Sequence, residues 1–199
     1  MPKIGPDDVR LSGRLCRETL EPHVERDWSV PAKGLEWECR QTVGHIADAL
    51  GFYAAHLAAR AEKWLKFDVV PHLDASNLHL LRLVEAMSNM LAQVAQATPD
   101  DVLAFHHTGM RDQHAFCAMA CLEMIVHTGD VAGGLNVPFD PPRDLCEQVI
   151  SSLFPDAPSN NDPWEVLLWA TGRADLSDHA ALGPGWQWVR SAYRGDVPC

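Results

Sequence analysis

The sequence has no C-x-x-C pair, no run of basic residues, no internal repeat, no low-complexity segment and no continuous apolar stretch of membrane-span length. Each absence excludes something. Six scattered cysteines (Cys16, Cys39, Cys117, Cys121, Cys146 and Cys199) without paired spacing rule out a zinc ribbon or a dithiol redox motif. They read instead as small buried hydrophobes in a reducing compartment. Cys39, just ahead of an expected helix start, is the one placed to be reactive. A formal charge of −11 excludes nucleic acid and anionic membrane as partners. No basic-then-apolar leader opens the chain, so a cytoplasmic location is expected.

What is there suits one domain of ordinary size. The 199 residues are 47% hydrophobic and 22% charged, enough apolar material for a core and too little charge for disorder. Periodicity of 3.6 predicts a first helix over about residues 6–27, with Pro22 kinking or ending it, and a connection in which Trp28 and Trp37 pack on the helix ends. Thr42 reads as the N-cap of a long second helix to about Phe67, its stripe running Val43, Ile46, Ala47, Leu50, Ala54, Leu57, Ala61, Trp64 and Leu65. His45 lies off that stripe, with Ala49, Phe52 and His56, which requires the helix to be covered on two sides. Ser76 caps a third helix over about residues 77–96, and Asp112 a fourth ending near Gly133-Gly134. Asp140-Pro141 opens a short helix to about Phe154, and Asp162-Pro-Trp-Glu165 a last one to about Gly172. A tail rich in glycine and proline follows, with Trp186 and Trp188 as its anchors. No strand is expected. The fold class is all-α: a four-helix bundle over residues 1–136, with two short helices in a C-terminal extension over residues 137–199.

The fourth helix carries the chemistry. It is apolar on every side from Ala115 to Val126, so it should be buried all round, yet it holds Glu123 and His127 one turn apart with Asp130 three residues on. A buried carboxylate is costly without a partner. A divalent metal shared by Glu123 and His127 is one solution, and a metal-free buried pair is the other; spacing alone does not separate them. A metal needs a third ligand, for which His45, His106, His107 and His114 are the candidates. His56, three turns along from His45, is too distant to share its site.

Three stretches resemble a known family. Trp37-Glu-Cys39-Arg-Gln-Thr42-Val43-Gly-His45-Ile-Ala is similar to the second-helix signature of the mycothiol-dependent maleylpyruvate isomerase N-terminal domain, part of the DinB-like superfamily. Glu123-Met-Ile-Val-His127-Thr-Gly-Asp130 resembles its fourth-helix signature, and Leu167-Leu-Trp-Ala-Thr-Gly-Arg173 resembles segments that follow the bundle in relatives. The likeness covers roughly residues 5–175. It implies a DinB-like four-helix bundle with one divalent metal, usually zinc, held by His45, Glu123 and His127. Two imidazoles and one carboxylate leave a fourth position open, the catalytic pattern. Asp48 and Asp130, each three residues from such a ligand, are candidates to accept the far ring N–H of a ligating histidine; a solvated face for Asp48 and a helix-end turn for Asp130 are the plainer alternatives.

The resemblance further implies a thiol-dependent transferase or isomerase, in which the metal activates a low-molecular-weight thiol such as mycothiol for attack on a small-molecule electrophile. A homodimer is compatible with such a bundle. Maleylpyruvate, a dianion, would need a cation near the metal; Arg40, Arg60, Arg82, Arg111 and Arg173 are candidates. The isomerase's fuller C-terminal domain has no counterpart, so its specific substrate is not implied. A metal-dependent hydrolase would use the same ligands. A non-catalytic protein that binds metal or a small molecule is the reading from a different class, marked by a closed shell with a fourth ligand such as His106, His107 or His114.

Overall fold

The computed structural model describes residues 3–177 and 179–180. Trp186, Trp188 and Cys199 lie outside the described residues. The described chain is mostly helical: α1 (Pro6–Leu20), α2 (Cys39–Ala58), α3 (Asn77–Ala97), α4 (Gln113–Gly134), α5 (Arg143–Leu153) and α6 (Pro163–Ala170), with a short hairpin of β1 (Ala104–His106) and β2 (Gly109–Arg111). α1 and α2 each pack against both α3 and α4; α5 lies on α4, and α6 on α5. One apolar core runs through all six helices, from Val9 and Leu20 through Ile46, Leu91 and Met124 to Leu145 and Leu167.

Local chemistry fixes most boundaries. Pro6 at the first position of α1 has no N–H to leave unpaired, and the Asp8 carboxylate accepts from Gly5 N at 2.9 Å. Ser76 caps α3 by accepting from His79 N, and Asp112 caps α4 by accepting from Ala115 N at 2.8 Å. Asp162 accepts from Trp164 N and Glu165 N to open α6.

Several expectations need correction. α1 does not run on to residue 27: it ends at Leu20, as Pro22 predicts, and Glu21–His23 turns as a 3-10 helix. α2 begins at Cys39, not after Thr42, because Glu38 and Gln41 form a reciprocal capping pair one turn earlier. The next two orphan donors, Cys39 N and Arg40 N, go to Val30 O and Trp28 O, so the connection itself caps the helix. α2 also ends at Ala58, nine residues short of Phe67. Arg60 turns left-handed at φ 48°, Ala61 N bonds to His56 O and Arg60 N to Leu57 O, which is a Schellman termination without a glycine to announce it. Trp64 and Leu65 therefore leave the apolar stripe and stand exposed. α5 starts at Arg143 because Pro142 bars the residue before it from helical conformation, so Asp140 cannot serve as its cap.

The hairpin was not expected. Its three-residue strands pair antiparallel, Ala104 with Arg111 and His106 with Gly109, and are too short to show alternation. Gly109, at φ 112°, takes the backbone conformation that the turn requires, and Phe105 N donates to Ala61 O at 2.6 Å, tying the hairpin to the end of α2. α4 corrects the expectation that nothing in the chain approaches a membrane span. By length and composition it would reach one, but 78% of its most apolar window is buried inside the fold.

The end of α4 is locked to the connection before α2. A Cβ at Gly134 would stand 2.5 Å from Pro31 O and 2.8 Å from Cys39 Sγ. Backbone cannot rotate away as a side chain can, so Gly134→Ala is expected to cost about 1–3 kcal/mol. Thermal unfolding should show this as a melting temperature lower by several degrees.

Candidate metal centre

α2 and α4 lie side by side, and this contact alone brings His45 to the Glu123–His127 turn. His127 Nε2 is 3.2 Å from Glu123 Oε2, and His45 Nε2 is 3.6 Å from the same oxygen. One ligand atom from each of the three residues falls within 4.8 Å of the others. A tetrahedral centre with bonds of about 2.0 Å sets its ligand atoms about 3.3 Å apart, close to the two separations from Glu123. The group can hold a divalent metal, and no further His, Cys, Asp or Glu joins it among the described residues.

The surroundings orient each donor. Asp130 Oδ2 lies 2.9 Å from His127 Nδ1, which fixes that ring with Nε2 toward Glu123. Asp130 is itself held by Arg173, whose Nε donates to Oδ1 at 2.9 Å and whose Nη2 donates to Oδ2 at 2.8 Å. Trp37 meets the His45 ring edge-on with centroids 5.0 Å apart, and the His45 and His127 rings stand perpendicular at 5.2 Å. Tyr53, buried two turns beyond His45, lies close enough to Glu123 for that carboxylate's charge to act on its phenol.

Asp48 does not meet an imidazole; its carboxylate accepts from Val69 N at 2.6 Å and anchors the α2–α3 connection. His56 is a satisfied core histidine, Nδ1 against Phe52 O and Nε2 accepting from Leu65 N. His114 bonds Ile4 O, away from the group, and His106 turns Nδ1 to Thr108. Two of the five arginines line cavities at His45, and both are committed. Arg173 holds Asp130 and Thr171 O, while Arg40 holds Leu73 O and Ala75 O. Cys39 is not a reactive thiol: it is fully buried, and burial pushes it up to about 11.

Charge and burial oppose each other here. Burial alone would raise the Glu123 carboxyl, but hydrogen bonds from His127 and His45 outweigh it and hold the group far below its usual range. Burial would likewise lower His127, yet its bonds to Asp130 and Glu123 win and lift it to about 9. For Tyr53, burial and the neighbouring carboxylate act together and push the phenol well above 10.

The raised His127 has a measurable consequence. Near pH 7 the metal-free imidazole is charged, facing Glu123, Asp130, His45 and, beyond Asp130, Arg173. A metal needs the neutral ring, so binding must expel its Nε2 proton. About one proton per metal is expected at pH 7, read from calorimetric titrations in buffers of different ionisation enthalpy. Because proton and metal compete, apparent affinity should climb with pH until it levels near pH 9. Affinity that is flat between pH 6 and 9 would overturn this.

The triad is reachable. His45 stands at the meeting of three cavities: one of about 190 Å³ with Arg173 and Thr171, one of about 290 Å³ with Phe52 and His106, and one of about 530 Å³ along the α2–α3 connection. Glu123 faces the first two. In the sequence Tyr53 has no role, and Arg173 is only one of five candidate cations for a substrate, not the partner of Asp130. For Tyr53 a signal existed, since it follows His45 by two helical turns beside a carboxylate that needs donors. For Arg173 none did, because its partner is 43 residues away.

No family model, curated protein or solved structure matches this chain.

Proposed function

We propose that this chain is a divalent-metal protein of the DinB-like type, its four long helices forming that bundle, and that it works as a thiol-dependent transferase or isomerase. The metal, zinc by donor chemistry, would be held by His45, Glu123 and His127. The observation that carries the reading is the convergence of three donors from two helices on one point that opens to cavities. A structural ion is closed off by a fourth protein ligand, and no such ligand joins the group among the described residues.

When bound, such a metal lowers the pKa of a coordinated thiol and supplies thiolate at neutral pH. The chain's own residues do the rest. Asp130, braced by Arg173, keeps His127 in the tautomer with Nε2 available, and the two imidazoles share the negative charge of Glu123. Mycothiol is the thiol that the family resemblance implies, and a small electrophile is the acceptor.

The test is thiol alkylation by iodoacetamide. The metal-loaded protein, the chelated protein and His45→Ala are each supplied with mycothiol, cysteine or glutathione. At least one thiol should react at least about tenfold faster with the loaded protein than with either control. Full metal occupancy with no acceleration for any thiol would favour the non-catalytic metal binder. Ester hydrolysis without thiol would favour the hydrolase.

A further inference from the structure

The cavity of about 290 Å³ beside Glu123 has a composition of its own. Two walls are aromatic: Phe52 on α2 and His107 on the hairpin stack at 5.0 Å and 22°, and Trp64 from the α2–α3 connection meets His107 edge-on at 5.5 Å. Trp64 is 49% exposed, so it stands at the mouth rather than in the core. The volume is about twice the roughly 150 Å³ of a cavity that takes benzene, enough for two fused rings.

Its charge is one-sided. Asp48, Asp68 and Glu123 contribute three carboxylates, and among the described residues no lysine or arginine lines it. Burial first, then the charges of His107 and Arg111, pull His106 down to about 4, so its ring is neutral at physiological pH. With Glu123 offset by His127 or by a metal, an anionic ligand would still meet the carboxylates of Asp48 and Asp68 with no lysine or arginine in the lining, whereas a neutral or cationic ring would meet π-faces and carboxylates. Of the two arginines in the neighbouring cavities, Arg173 is ion-paired with Asp130, and neither lines this cavity.

We propose that this cavity is the subsite for a flat aromatic group without negative charge, held beside Glu123 and His45. As a substrate class it rests on the metal reading above; as a binding preference it stands on the cavity alone. The subsite selects against dicarboxylates and for an aromatic electrophile, neutral or cationic, with its ring against the aromatic wall of Phe52, His107 and Trp64.

Calorimetric titration with three bicyclic probes tests it: 2-naphthalenemethanol, N-methylquinolinium and 2-naphthalenesulfonate, against metal-loaded and chelated protein. The alcohol and the cation should bind at least tenfold tighter than the sulfonate to the chelated protein, and the metal should narrow that gap. Trp64→Ala, a change at an exposed position, should weaken the favoured probes about fivefold or more. Asp68→Arg should narrow the gap between cation and sulfonate. Equal or tighter sulfonate binding to the chelated protein, indifference to Trp64→Ala, or no probe binding would each overturn the inference. Probe binding in a protein that takes up no metal would sink the metal reading and leave the subsite standing. Metal uptake without probe binding would do the reverse.

Discussion

Wild-type protein should carry about one divalent ion per chain, and Glu123→Ala should carry none. Glu123 is the common neighbour of both imidazoles, at 3.2 Å from His127 and 3.6 Å from His45, so its removal takes away a ligand and the charge that holds the other two in place. Losing a supporting residue alone typically weakens a site 10- to 100-fold, and losing a ligand should exceed that. Zinc at about a thousand times its dissociation constant stabilises a fold by about 4 kcal/mol. For a domain of this size that raises the melting temperature by roughly 10 °C in wild type, with no response in the variant. His127→Ala should also lose the metal, and it should be less stable than Glu123→Ala when both are metal-free, because it leaves a mostly buried carboxylate short of a partner. Elemental analysis and zinc-dependent melting check all of this. Metal-free wild type with no zinc response would leave Glu123 and His127 as a buried polar pair.

Arg173→Met should destabilise the protein by about 3 kcal/mol and weaken metal binding 10- to 100-fold, although Arg173 touches no ligand. Its guanidinium is the second partner of Asp130, which is only 4% exposed and which orients His127. Burial would raise the Asp130 carboxyl, but its bonds to His127 and Arg173 depress it below the usual value. A depressed carboxyl stabilises the fold above its unfolded pKa of about 4, and that contribution fades as pH falls through the lower folded value. The gap between wild type and Arg173→Met should therefore narrow on acidification. Asp130→Asn combined with Arg173→Met should cost less than the two changes summed, since the pair is removed together. Additive losses in denaturant titrations would show that the two residues act independently.

The sequence made the fourth helix legible in most respects. Its all-round apolarity predicts burial, Asp112 predicts its start, and the placement of Glu123 and His127 on one face is a consequence of 3.6 residues per turn. Reading the far end of α2 failed because Arg60 takes the left-handed turn that glycine usually marks. The hairpin failed for a different reason: its pairing is settled by Gly109 and by the Phe105–Ala61 bond to another element, with too few residues per strand to show a pattern. Asp48 and Asp130 hold equivalent places in sequence, each three residues past a histidine. The fold separates them, giving Asp130 to His127 and Asp48 to the Val69 backbone.

By itself, then, the sequence determined the helical class, most of the caps and the local pair on α4, because these depend on neighbours within one or two turns. Only the tertiary structure decided that α2 lies against α4 so that His45 meets the pair. It also decided that Tyr53 and Arg173 complete the surroundings, and that the open side faces an aromatic, acid-lined cavity. Those relations join residues up to 82 positions apart, from His45 to His127, and only packing sets such distances.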